Sequence, residues 1–96
     1  MDNETMIKLS GQLKCEDLQQ ATLVERYIGE HRRLTREEPG CLSFNVIATV
    51  DPLIWNVDEL FSSKETFEAH QRRTKNSAWG IETRHIAREY QITELE

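Results

Sequence analysis

Of the three histidines in the sequence, His31, His70 and His85, His70 has the neighbours suited to proton transfer. An imidazole titrates at about 6.5, so at neutral pH it both accepts and returns a proton readily. His70 follows Phe67 by three residues in a run that reads as a short helix, and this places it on the helix's inward side. Glu59 shares a strand face with Leu53, Trp55, Val57 and Phe61, so a carboxylate there lies among apolar and aromatic groups and needs a partner. A buried carboxylate beside a histidine is a base with its orienting group; equally, it is a hydrogen bond that does no more than pin helix to sheet. Phe44, Trp55, Phe61 and Trp79 either wall a pocket for a planar aromatic molecule or pack the core, with Trp79, in the less regular segment, the best placed to meet a ligand. Asn45 and Arg84 carry donors able to polarise a substrate oxygen, and both also suit a surface or an interface. His31 sits on a helix stripe and reads as a packing residue with its polar atoms satisfied, and His85, near a strand start, as solvated.

Other chemistries find little support. The histidines are widely separated, no H-x-x-x-H pair occurs and the two cysteines lie apart, so no metal motif is expected. Neither a G-x-G-x-x-G run nor a P-loop is present to cradle a nucleotide or flavin phosphate, so no cofactor is expected and redox chemistry would draw its electrons from the substrate. A net charge of −5 disfavours nucleic acid and anionic membrane surfaces as partners. The Arg32-Arg33 and Arg72-Arg73 pairs read as solvated helix faces, with phosphate binding the alternative. No apolar run approaches the roughly 20 residues that span a bilayer, and Met1 to Glu4 has no basic region leading into an apolar stretch, so a soluble, cytoplasmic protein is expected.

The elements that must position these groups follow from periodicity. With 96 residues and two prolines, one domain covering 1–96 is expected. In Met6–Lys14, Ile7, Leu9, Gly11 and Leu13 alternate with polar residues, giving a half-buried strand. Asp17 and Gln20 form a capping box, after which Leu18, Ala21, Val24, Ile28, His31 and Leu34 recur at helical steps until Pro39-Gly40 ends the helix. Residues Cys41–Val50 and Leu53–Phe61 are rich in β-formers and meet at the turn signal Asp51-Pro52, so they read as a hairpin. Ser62 with Glu65 predicts a cap for a helix over Lys64–Arg72, Asn76 or Ser77 a further turn or two around Trp79, and the alternation from Ile86 a last strand. The order β-α-β-β-α-β with right-handed crossovers makes an α+β, ferredoxin-like, four-stranded antiparallel sheet with helices on one face. The other face, bare and apolar, would call for a second copy. Cys15 and Cys41 fall at opposite ends of that sheet, beyond the roughly 7 Å a disulfide allows, and are expected as free thiols.

The run Glu38-Pro39-Gly40-Cys41-Leu42-Ser43-Phe44, followed by Glu59-Leu60-Phe61-Ser62-Ser63-Lys64-Glu65-Thr66-Phe67-Glu68-Ala69-His70, resembles the antibiotic biosynthesis monooxygenase domain. It departs from many relatives in carrying Phe61 where tryptophan is common and Asp58 where an aromatic is common. The resemblance implies a dimeric α/β barrel built through the sheets. It also implies oxygenation, by dioxygen and without metal or flavin, of a quinol-like or polycyclic phenolic small molecule. His70 would then be the base and Glu59 its orienting group. Three alternatives remain: a small-molecule-binding homodimer without turnover, a haem-degrading relative, and an isomerase of the same superfamily. The haem branch needs an asparagine on the first strand and a histidine near Trp79; the first strand has no asparagine after Asn3 and no histidine follows Trp79 before His85.

Overall fold

The computed structural model describes residues 5–96, so the predicted features of Met1 to Glu4, Asn3 included, lie outside the described residues. Strand β1 (Met6–Lys14) buries Ile7, Leu9 and Leu13 on one side, as its alternation requires. Asp17 caps helix α1 (Leu18–Arg36) by accepting the N–H of Gln20, while the Gln20 side-chain oxygen accepts the N–H of Glu16. The buried stripe of α1 runs Val24, Ile28, His31, Thr35. Two expected members of that stripe fall away: Leu18, in the first turn, is exposed, and Leu34 gives way to Thr35 because the step after His31 is four residues.

Strands β2 (Cys41–Ala48) and β3 (Ile54–Phe61) form the hairpin. Helices α2 (Lys64–Lys75) and α3 (Ala78–Glu82) follow, and β4 (Ala87–Leu95) closes the sheet in the order β2-β3-β1-β4, antiparallel throughout. This is the ferredoxin-like arrangement. The register sets one row, Phe44, Glu59, Leu9 and Ile92, across the sheet on the helix side.

Two local details place the site. Gly40 has a φ of 85°, and a Cβ there would fall 2.5 Å from the Thr66 side chain, so glycine both turns the chain after α1 and lets α2 begin close by. The cap of α2 is Ser63, whose Oγ accepts the N–H of Thr66 at 3.1 Å, not Ser62 as the sequence suggests. The Ser62 N–H is already donated to the Gly40 carbonyl at 2.8 Å, which ties that residue to the end of α1 and leaves the next serine to cap. Ser77 caps α3 by accepting from Gly80 N–H.

The outer sheet face differs from the bare apolar surface expected. Lys8, Gln12, Lys14, Asn56, Asp58 and Glu89 dominate it, with Gln12 bonded to Asn56 at 3.0 Å and Lys14 paired with Glu89 at 2.8 Å, and its larger apolar groups, Ile47, Ile54, Leu60, Met6 and Leu95, lie toward its edges and strand ends. Arg32 is not solvated either: it donates to the Val46 carbonyl, and Arg36 to the Phe44 carbonyl, so two guanidinium groups close the β2 edge. Cys15 and Cys41 are unbridged at opposite ends of the sheet, and burial raises both thiols above their ordinary range. No helix among the described residues is long and apolar enough to cross a membrane.

Candidate active site

The register that points Glu59 at the helices also puts it beneath His70. Between α2, α3 and the β1–β4 half of the sheet lies a cleft of about 380 Å³, onto which Glu59, His70, His31, Trp79, Arg88 and Tyr90 open, with Thr74, Lys75 and Arg84 toward its mouth.

His70 is buried and held at both ring nitrogens. Its Nδ1 lies 2.7 Å from Glu38 Oε1, and its Nε2 3.7 Å from Glu59 Oε1 and 3.4 Å from Thr74 Oγ1. Glu38 also pairs with Arg73 Nε, and Arg73 Nη2 donates to Thr35 Oγ1 at 3.0 Å. A carboxylate engaged by a guanidinium is an acceptor only, so the Nδ1–H donates to Glu38 and the lone pair sits on Nε2, facing Glu59 and the cleft. The carboxylate that holds Nδ1 is thus Glu38, at the end of α1, and Glu59, expected as the orienting group, lies on the Nε2 side of the ring. Arg73, read from sequence as solvated, is the hinge of this network.

Burial lowers the His70 pKa, partly offset by the bond to Glu38, so the ring is a neutral base. Burial and the charge of Glu38 push Glu59 up to about 7, against the pull of Arg88, so it exchanges a proton near neutrality. Glu59 Oε1 is buried without a hydrogen-bond partner. Across the cleft, Arg88 is locked by bonds to Thr83 O, Thr83 Oγ1 and Ile86 O, and its Cζ lies over the Trp79 ring at 6.0 Å. Burial pushes the Tyr90 phenol up to about 12, so it remains a donor at working pH.

The other expected site residues divide. Trp79 and Arg84 line the cleft, Arg84 at its exposed rim. Phe44 and Phe61 are buried beneath it, their rings 6.2 and 4.9 Å from that of His70. Trp55 is half-buried between Leu13 and Ala48 in the register, outside the cleft, and Asn45 lies on the edge strand, where it accepts from Arg36. His31 opens onto the cleft and His85 is exposed. Glu38, Arg88 and Tyr90 were not among the expected site residues, although Glu38, in the E-P-G-C run, carried a signal; His31, expected as a satisfied packing residue, is buried with Nδ1 unpartnered. Among the described residues no three His, Cys, Asp or Glu side chains gather to hold a metal ion.

The model of the antibiotic biosynthesis monooxygenase family matches residues 6–79, which include every element from β1 to the start of α3. The chain belongs to the antibiotic biosynthesis monooxygenase family. Solved structures agree on the fold of this monooxygenase-family chain. SnoaB, a cofactor-independent oxygenase from Streptomyces nogalater, superposes with a TM-score of 0.78 at 7% identity, covering 96% of this chain and 94% of that one. A conserved protein of unknown function from Bacteroides thetaiotaomicron gives 0.73 at 15% identity, over 96% and 99%. PA3566 from Pseudomonas aeruginosa gives 0.69 at 17% identity, over 99% and 96%. No curated protein matches the chain by sequence.

Proposed function

We propose that this family member is a cofactor-independent monooxygenase that oxidises a quinol-like or polycyclic phenolic small molecule with dioxygen, as a homodimer in the cytoplasm. The observation that carries the reading is the line Glu38–His70–Glu59, a fixed and neutral base whose unprotonated nitrogen faces an aromatic-walled cleft. The cofactor-independent oxygenase among its structural relatives supports it. The unbridged thiols suit a reducing compartment.

His70 Nε2 removes the phenolic proton of the bound substrate, and Glu59 takes or returns it as the pair titrates. The phenolate passes one electron to dioxygen, and the superoxide formed joins the ring radical to make the new C–O bond. The resulting peroxide loses water and leaves a quinone. One oxygen atom enters the product, the other leaves as water, and the substrate supplies every electron. Arg88 and Tyr90, with Arg84 at the rim, stabilise the developing anion, and Asn45, which lies outside the cleft, takes no part.

The test is oxygen uptake by metal-stripped protein with a panel of hydroquinones and hydroxylated polycyclic phenols. Saturable uptake that falls about 10²-fold or more in a folded His70→Ala variant is expected. Uptake no faster than autoxidation across the panel overturns the enzyme reading. The reading as a binding protein without turnover draws on the same network, because Glu38 and Arg73 also tie α1 to α2. Saturable binding of a phenol with no product would decide for it.

A further inference from the structure

His31 is the one cleft residue whose placement the proton-transfer network leaves unexplained. The residue is 4% exposed, and its ring stacks on Trp79 with centroids 5.0 Å apart and planes 5° from parallel and meets Phe44 edge-on at 5.2 Å. No hydrogen bond reaches either of its nitrogens among the described residues, and Nδ1 is buried and unpartnered. Phenylalanine would fill the same space and stack as well without leaving a polar atom unsatisfied. An imidazole retained in such a place has a use the unliganded protein does not display. Its ring centre lies 5.8 Å from that of His70, and both open onto the same cleft.

We infer that His31 is a second polar contact for the substrate, and that the cleft takes a planar aromatic bearing two oxygen substituents, one at His70 and the other at His31. A neutral imidazole has one donor and one acceptor, so it accommodates a hydroxyl or a carbonyl. The ring stays neutral because burial, together with the charges of Arg73 and Arg88 and the nearby His70, lowers it to about 3. The groups facing it from the other packed elements are Trp79 on α3, Phe44 on β2 and His70 on α2. The second oxygen therefore meets a fixed partner that is uncharged across the neutral range. This substrate class rests on the proposed function, whereas the contact itself does not.

Anaerobic calorimetric titration separates the two. Binding of 1-naphthol and a set of dihydroxynaphthalenes is compared in the wild-type protein, His31→Phe and His31→Gln, with no turnover involved. In the wild type at least one dihydroxy isomer is expected to bind about tenfold more tightly than 1-naphthol. His31→Phe should erase that preference and melt at a higher temperature, because an unsatisfied buried group has been removed. His31→Gln should restore part of the preference. Equal affinity for mono- and dihydroxy probes in the wild type overturns the inference, as does an undiminished preference in His31→Phe. A lower melting temperature in His31→Phe would show that the nitrogens serve the fold, and would overturn it too. Failure of the oxygen-uptake experiment with the binding preference intact would remove the monooxygenase reading and leave the contact standing.

Discussion

At the scale of single residues, Glu59 and His70 were legible because each breaks a pattern: a carboxylate on an apolar strand face and a histidine one turn after a core phenylalanine. Glu38 was not, because its bond to His70 joins residues 32 apart in sequence and depends on how closely α1's end approaches α2. The raised pKa of Glu59 makes a stability prediction. A carboxyl that ionises near 7 when folded and near 4.5 when unfolded holds more proton in the native state between those values, so the stability it contributes is complete below about 4.5 and is lost as pH rises through 7. Glu59→Gln should therefore match the wild type at pH 4 and exceed it at pH 8 by roughly 3 kcal/mol at most, less to the extent that His70 takes up the proton. Denaturant midpoints measured across that range check it, and parallel curves for the two proteins would contradict it. Glu38→Gln should act differently, lowering kcat by about 10²-fold with a smaller effect on KM, because it leaves Nε2 in the cleft but loosens the tautomer and the ring position. Steady-state oxygen uptake reads that split.

At the scale of elements, periodicity located each strand and the two longer helices, since patterns of two and 3.6 residues survive in the sequence unaided. The cap of α2 was misplaced by one residue because Ser62 and Ser63 are chemically alike; only the tertiary bond from Ser62 N–H to Gly40 distinguishes them. Ser63→Ala should consequently cost about 1 kcal/mol, and Ser62→Ala, whose backbone donor survives the change, far less. Urea unfolding of the two variants tests that assignment. Gly40→Ala should cost more than either, about 2 kcal/mol or above, since it combines a left-handed backbone with a Cβ driven against Thr66. Because this turn also delivers Glu38 to His70, the variant should lose oxygen uptake under conditions where it remains folded, which separates it from Ser63→Ala.

At the scale of the whole molecule, the handedness of crossovers made the strand order legible, but the outer sheet face was not read correctly. Alternation says which residues share a face, not how much of that face is apolar. Here Ile47, on the edge strand, and Ile54 and Leu60, at the two ends of β3, surround a middle made of Ser10, Gln12, Asn56 and Asp58. A face of mixed character is no bar to a contact between copies, because an interface as a whole is about as apolar as the rest of a protein surface, and the polar middle keeps the free chain from indiscriminate association. The Arg32 and Arg36 bonds to β2 carbonyls point the same way, because they close that edge to strand pairing and leave the face as the route to a partner. Ile47 is 58% exposed in the single chain, so Ile47→Lys should leave the monomer's fold intact while placing a charge in the proposed contact. Sedimentation equilibrium should find the wild type dimeric and Ile47→Lys shifted toward monomer by tenfold or more in Kd, about 1.4 kcal/mol. A wild type that sediments as a monomer at micromolar concentration would remove the dimer. A dimer indifferent to Ile47→Lys would move the interface from this face to the β4 edge, the other edge of the sheet.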